Sequence, residues 1–250
     1  MLKKKNSQTK ILISIITVVY NDVSNIEKTI QSVINQTYEN IEYIIIDGGS
    51  TDGTMNIVKK YKDSIDCIIS KKDDGIYDAM NTGMKLASGK WINFLNSGDT
   101  FYNKKVIQNI SFKSFENNVM IYGNAKIFNI KRKFLKLLKA FSLTKKNLIL
   151  FGTRVVCHQA VFYDKKIKFK YPKRYKLKGE LYSYFEYLKH GKSAYVNLII
   201  CNYSLGGISN ILYKKDNKEL WKVLKDQAGY MMFLHIPFYI FSRILLLKYK

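Results

Sequence analysis

Acidic residues are scarce in this 250-residue chain: 19 Asp and Glu stand against 42 Lys and Arg, for a formal charge of +23 and a pI near 9.7. Such a surface is drawn to anions, whether nucleic acid, an acidic membrane leaflet or phosphorylated substrates, and charge alone does not choose among them. The wealth of Lys, Ile, Asn and Tyr also fits an AT-rich coding bias, so basicity supports a reading without carrying one. Cysteine is nearly absent. Cys67, Cys157 and Cys201 lie far apart, with no CxxC pair and no His cluster at metal spacing, which argues against a zinc module and a disulfide framework. No GxxxxGK[ST] occurs and "GGSTDG" does not meet the dinucleotide fingerprint, so neither a P-loop nor a dinucleotide site is expected. No small-residue cleavage site follows the basic-then-apolar N-terminus. The run Ile11 to Tyr20 passes straight into Asn21-Asp22 and reads as the first buried strand of a cytosolic protein.

What is present is an alternation. With 47% hydrophobic residues, the chain can bury the core of one α/β domain, alone or with a short appendage. "ILISIITVVY" and "IEYIIID" are buried-strand runs, and between them "NIEKTIQSVINQ" repeats apolar residues at helical spacing. "TDGTMNIVKKY" begins a helix, "DCIIS" is a short strand, "IYDAMNTGMKLA" a helix closed by Gly89, and "KWINFLN" a further strand. The order β-α-β-α-β-α-β predicts a mostly parallel sheet with helices on both faces and ligands outside the carboxyl ends of the strands.

Polar clusters fall at those ends. The first strand delivers Tyr20-Asn21-Asp22, the second Asp47 to Gly53, and the strand after Gly89 delivers Asn96-Ser97-Gly98-Asp99. Each alone is what a turn or helix cap needs; in this order they converge on one site. A second cluster, Asp73, Asp74, Gly75, Tyr77, Asp78 and Asn81, sets Asp78 and Asn81 at i and i+3 of a helix start, where they can face one ligand. A polar helix N-terminus favoured by the dipole is the plainer account of it.

From Ser14 to Asp99, "SIITVVYN", "TIQSVINQTYENIEYIIIDGGSTDGT" and "DDGIYDAMNTGMKLASGKWINFLNSGD" resemble the N-terminal half of family 2 glycosyltransferases, which have the GT-A fold. The forms "DGGSTDGT", "GIYDAMN" and "LNSGD" are those of the bacterial branch that makes capsular and colanic-acid-like surface polysaccharides. The resemblance implies that Thr17, Tyr20, Asn21 and Asp47 hold the nucleotide base and ribose, and that Asp74, Asp78 and Asn81 line the pocket beside it. It also implies that Asp99, with Asn96 and Ser97 beside it, is the acid of the family's DxD motif and binds Mg²⁺ or Mn²⁺. Asn96 and Gly98 stand where that motif usually has acids, which anchors a metal weakly without substrate and brings a metal-independent mechanism within reach.

In the second half, "TRVVCHQAVFY" places His158-Gln159 on the family's HQ segment, at the wall where donor and acceptor meet. "YKLKGELYSYFEYLKHGKSAYVNLIICNYSLGGISN" matches its acidic-helix segment, with Glu180 where Asp is usual; Glu180 is the implied general base, and Leu205 to Asn210 the loop over the acceptor. "KIFNIKRKFLKLLKAFSLTKK" and "DKKIKFKYPKRYKLK" interleave lysines with aromatics, as nucleic-acid surfaces and solvated faces both do. No helix-turn-helix, RNA-recognition or zinc signature accompanies them, and nucleic acid is not expected as a partner.

The expectation is therefore an α/β, GT-A-like (Rossmann-like) mostly parallel sheet flanked by helices over residues 1–210, with a C-terminal helical appendage over 211–250. The implied activity is inverting sugar transfer from a nucleotide diphosphate sugar, with UDP foremost, to a glycan or lipid-linked glycan acceptor. A non-catalytic nucleotide-sugar-binding partner and a basic nucleic-acid-binding domain are the alternatives. Ala228 to Leu247 is just long enough to span a bilayer, but Pro237 interrupts it. On a helix, His235, Tyr239, Ser242 and Arg243 would form a polar stripe flanked by Lys222, Lys225, Lys248 and Lys250. That is the pattern of an interfacial helix on anionic lipid, which would put the protein on the inner face of the cell membrane. A spanning helix and a core or dimer-interface helix are the other readings.

Overall fold

A computed structural model of the chain describes residues 10–129, 131–205, 218–237 and 240. Strands β1 (Ile13–Val19), β2 (Ile41–Asp47), β3 (Cys67–Ser70) and β4 (Trp91–Phe94) alternate with helices α1 (Ile26–Ile34), α2 (Thr54–Lys60) and α3 (Ile76–Leu86), in the order read from the sequence. β1 pairs in parallel with β2 on one side and with β4 on the other, and all seven of its residues are buried because an apolar cluster covers each face of the sheet there. Period-two alternation then sorts its side chains. Ile13, Ile15 and Val19 join Tyr43 and Trp91 in one core, and Ile16 and Val18 join Ile44, Ile92 and Phe94 in the other. Helix α3 lies flush on the second face: a Cβ at Gly83 would come within 2.5 Å of Ile16.

Strands β5 (Thr100–Phe101), β6 (Met120–Phe128), β7 (Phe134–Leu138), β8 (Val161–Asp164) and β9 (Ser193–Ser204) complete a nine-stranded sheet of order β3-β2-β1-β4-β8-β6-β9-β5, with β7 paired to β6 off that path. Parallel pairing runs through β1 to β4, and the later strands add antiparallel pairs of β8 with β4 and with β6. Because the chain leaves β1 toward β2 and β3 and returns to β4 on the opposite side, the connections diverge at β1, and a crevice opens at the carboxyl ends there. Much of the Lys-rich stretch that has no clear period in the sequence is the β6–β7 hairpin.

Helices α4 (Lys145–Phe151), α5 (Gly179–Tyr187) and α6 (Lys218–Ala228) cover the face that carries α3. Leu220, Val223 and Leu224 of α6 enter the same core as Leu181, Tyr184 and Phe185 of α5. Glu219 accepts the backbone N–H groups of Lys176, Leu177 and Lys178 at 2.5, 2.5 and 2.7 Å, fixing the approach to α5. The expected boundary at residue 210 and the glycine-containing segment 206–210 lie outside the described residues, as does most of 238–247. A 3₁₀ turn, Gly229–His235, follows α6, and no helix among the described residues is long and apolar enough to cross a membrane.

Candidate active site

The second strand end is built around Asp47. Its fully buried carboxylate accepts Gly49 N–H at 3.2 Å, Ser50 N–H at 3.1 Å and the hydroxyls of Ser50 and Ser70 at 2.5 and 2.6 Å. The first strand end is laced to this loop. Asn21, at φ +48°, donates its N–H to Ser50 Oγ at 2.7 Å, and its side-chain oxygen accepts Thr51 N–H at 2.9 Å. Tyr20 stays 57% exposed, its ring beside Gly48. A Cβ on Gly48 would meet that ring at 3.3 Å and Asp73 Oδ2 at 2.8 Å, so a methyl there would displace the carboxylate and crowd the ring. Burial raises the Asp73 pKa; Gly75 N–H opposes that rise, while Asp78, Asp47 and Asp74 add to it.

The third end, Asn96 to Asp99, is held by Asp22 and Thr29. Ser97 donates to Asp22 at 2.6 Å, Thr29 Oγ1 accepts Gly98 N–H at 3.0 Å, and the Thr29 hydroxyl donates to the Asp99 carbonyl at 2.7 Å. Asp99 is 4% exposed and its Oδ1 accepts Ser204 N–H at 2.9 Å. Burial pushes its carboxyl up to about 8, while Ser204 N–H, the Arg132 guanidinium and the Gln159 side chain favour the charged form and Asp22 opposes it. Arg132 reaches this place from the turn of the β6–β7 hairpin, where it sits at φ +58° and donates to Asn25 Oδ1 at 2.8 Å. Asn25 in turn donates to Asp22 at 2.7 Å.

The other wall comes from α3 and α5. Tyr77, in the first turn of α3, donates its hydroxyl to Glu180 in the first turn of α5. Burial raises the Glu180 pKa, and Lys178 and the Tyr77 hydroxyl pull it back. Asp78 accepts the N–H of Asp74 at 3.3 Å, and Asp74 pairs with Lys173 at 2.8 Å on the surface. A small cavity of about 40 Å³ lies between Asp74, Tyr77, Asp78 and the 171–176 segment. His158 stacks on Phe94 with 5.5 Å between centroids and holds Nδ1 3.0 Å from the Tyr163 hydroxyl. Burial drives its pKa down to about 4, so its imidazole is neutral at physiological pH.

Two residues read from the sequence as ligand contacts have their side chains turned to support. Thr17 is fully buried; its hydroxyl donates to the Leu95 carbonyl at 2.8 Å and lies 3.1 Å from that of Tyr43. Asn81 donates to the Tyr171 carbonyl at 3.0 Å and accepts the Tyr171 N–H at 2.8 Å, clamping the 171 segment. The site also gathers residues that sequence reading left out. Asp22 and Asp73 stood inside the motifs already noted, whereas Arg132 and Ser204 carry no local signal and arrive through sheet topology.

A hard divalent cation takes oxygen ligands. Asn96 Oδ1 is buried with no hydrogen-bond partner, and the Asp99 carboxylate lies buried three residues further on. Among the described residues no group of three or more His, Cys, Asp or Glu is arranged to hold a metal. The donor set therefore fits a cation only where substrate phosphate and water complete its shell.

The chain matches the model of Glycosyl transferase family 2 over residues 14–190. It is 41% identical over 114 residues to the Escherichia coli UDP-Glc:alpha-D-GlcNAc-diphosphoundecaprenol beta-1,3-glucosyltransferase WfaP, covering 45% of each chain. It is 27% identical over 217 residues, 82% of each chain, to a PGL/p-HBAD biosynthesis glycosyltransferase of Mycobacterium tuberculosis. Among solved structures, S. aureus TarS 1-349 in complex with UDP-GlcNAc superposes with a TM-score of 0.67 at 16% identity, over 86% of this chain and 64% of that one. The mannosyltransferase PcManGT from Pyrobaculum calidifontis, in complex with GDP-Man and Mn²⁺, gives 0.66 at 12% identity, over 88% and 64%. At those identities the likeness is one of fold, GT-A-like, and the chain spans less than two thirds of either structure.

Proposed function

The chain belongs to glycosyl transferase family 2, and on that premise we propose that it transfers a sugar, with inversion, from a UDP-sugar to a lipid-linked glycan in bacterial surface polysaccharide biosynthesis. The observation that carries the proposal is the meeting of three polar strand ends at the divergence of β1 and β4, with a buried acid at two of them, Asp47 and Asp99. The uridine base and the diphosphate-linked acceptor find support in the names of the E. coli relative and of the TarS complex.

In this reading Tyr20 and Asp73 flank the base over Gly48, and the Asp47–Asn21 lattice fixes the loop that receives the ribose. The Asn96–Asp99 turn faces the diphosphate. Mg²⁺ or Mn²⁺ would be held by Asp99 with Asn96 Oδ1 and, when bound, would offset charge on the departing nucleotide diphosphate. Asp74 and Asp78 rim the pocket on the α3 side, with Asn81 clamping its wall. His158 and Gln159 back the place where donor and acceptor meet. Glu180 removes the acceptor hydroxyl's proton, and Tyr77 and Lys178 favour the ionised carboxylate that this needs. The protein works at the inner membrane surface, attached peripherally through its C-terminal segment.

A panel of UDP-, GDP- and dTDP-sugars with Mn²⁺, read by thermal shift and slow donor hydrolysis, tests the proposal. Stabilisation and hydrolysis with a UDP-sugar are expected. Binding without hydrolysis or transfer to any acceptor would make the chain a nucleotide-sugar-binding partner instead.

A further inference from the structure

Between Glu116 and Asp164 the sequence has no acidic residue and nine lysines and arginines. The middle of this interval folds as β7, which pairs with residues 125–128 of β6 and, among the described residues, with no strand on its other edge. Lysines commonly guard such an edge against pairing with another chain, and Lys133, Lys136 and Lys139 meet that need by themselves. The apolar residues between them do not. Phe134, Leu135, Leu137 and Phe141 are 50, 48, 39 and 54% exposed. The register with β6 sets Phe134 beside Phe128 and Leu137 beside Lys126 on one face, with Leu135 the extra residue of a β-bulge and Lys136 and Leu138 on the other face; only Leu138 packs against the core.

This edge is continuous with a second apolar surface. Phe141 stacks on Phe151, at the end of α4, with 5.7 Å between centroids. Helix α4 holds the 229–235 turn through His235 Nδ1, 2.8 Å from the Ile149 carbonyl. On that turn Tyr230, Met231, Phe233 and Leu234 are all more than half exposed, and Lys222 and Lys225 lead into it.

We infer that β7, together with Phe141 and the 229–235 turn, is a face that seats on an anionic lipid bilayer at headgroup depth. The inference rests on the membrane-peripheral reading above and deepens it, since that reading assigns attachment to the C-terminal segment alone. An unpaired strand edge does not enter hydrocarbon, where its N–H and C=O groups would lose water. At headgroup depth they stay wet while Phe and Leu reach the acyl boundary and the lysines meet lipid phosphates. A nucleic acid would engage the lysines but leave Leu135 and Leu137 in water. The seating also has a geometric consequence for the reaction. The turn of the same hairpin carries Arg132 to Asn25, beside the Asn96–Asp99 loop, so an acceptor held in the bilayer is presented next to the strand ends.

Flotation of the full-length protein with phosphatidylcholine vesicles, with and without phosphatidylglycerol, tests the inference. Binding to the anionic vesicles is expected. The double variant Lys133→Glu, Lys136→Glu should weaken it by more than about twenty-five-fold, at roughly five-fold for each lysine removed, and Leu135→Ser with Leu137→Ser should weaken it at unchanged charge. Neither pair touches the strand-end site, so UDP affinity and the thermal midpoint should hold. As a check that needs no loss of binding, Leu137→Trp should show emission quenched by brominated lipid beyond that of the parent protein. If the parent binds and all three variants behave like it, β7 is not a lipid contact, although C-terminal attachment stands. If the parent binds no vesicle, both readings fall. If poly-U displaces the parent from vesicles and binds more tightly, the face belongs to nucleic acid and the inference is wrong.

Discussion

Tyr77 donates its phenolic hydroxyl to the carboxylate of Glu180, joining the first turn of α3 to the first turn of α5 across 103 residues. The bond favours the ionised carboxylate, while burial works against it. If Glu180 is the general base, Glu180→Gln lowers kcat by about 10²- to 10⁴-fold with donor affinity nearly unchanged. Turnover requires the deprotonated form, so the acidic limb of kcat/KM should lie above the ordinary glutamate range. Tyr77→Phe, which removes a group that lowers the Glu180 pKa, should move that limb to higher pH. A limb that stays in place in Tyr77→Phe assigns the base elsewhere, with Asp78 next in line.

Asp99 supplies the one carboxylate of the Asn96–Asp99 loop. Asp99→Asn removes the carboxyl group whose ionised form a bound Mn²⁺ would favour, and should reduce Mn²⁺-dependent UDP binding by about 10²-fold or more, the scale of losing one charge-stabilising group. Metal-free binding of uridine should change little. Calorimetry with and without Mn²⁺ separates the two; equal Mn²⁺ enhancement in variant and parent would remove the metal role.

Gly48 lies between the Tyr20 ring and the Asp73 carboxylate. Gly48→Ala forces a methyl to within 2.8 Å of Asp73 Oδ2. Crowding costs up to about 1–3 kcal/mol, and because both neighbours are side-chain atoms it is met by displacing Asp73 and Tyr20 in the pocket. UDP affinity should therefore drop about ten- to a hundredfold while the thermal midpoint moves little. A variant with parental affinity would place the base away from this corner.

Asn81 makes the opposite prediction. Both ends of its amide are taken by the Tyr171 backbone, so Asn81→Ala should cost stability rather than donor affinity. Two lost hydrogen bonds at about 0.5–1.5 kcal/mol each should lower the melting temperature by roughly 2–12 °C, read by differential scanning calorimetry. A large loss of UDP binding at unchanged melting temperature would restore it to the ligand.

The sequence by itself determined the N-terminal architecture, because local signals there agree with tertiary demand. β-branched runs of buried-strand length, amphipathic helices and punctuating glycines gave β1 through β4 and α1 through α3 to within a few residues at each end. Period-two alternation then decides which isoleucine faces which core. It also determined that Asp47 closes a strand and that Asp99 lies in the loop that follows one, since a carboxylate after an apolar run is visible in one dimension. Only the tertiary structure decided what those acids meet. Thr17 and Asn81 look like ligand residues in a motif, yet their polar atoms are consumed by Leu95 and Tyr171, 78 and 90 residues away. Arg132 and Ser204 reach Asp99 because β6 pairs with β7 on one edge and with β9 on the other, a long-range register that no local pattern encodes. The Lys-rich stretch after β6 shows the same limit. Its composition fits a solvated face and a nucleic-acid surface equally well, and pairing at the sheet edge is what leaves Leu135 and Leu137 outside the core.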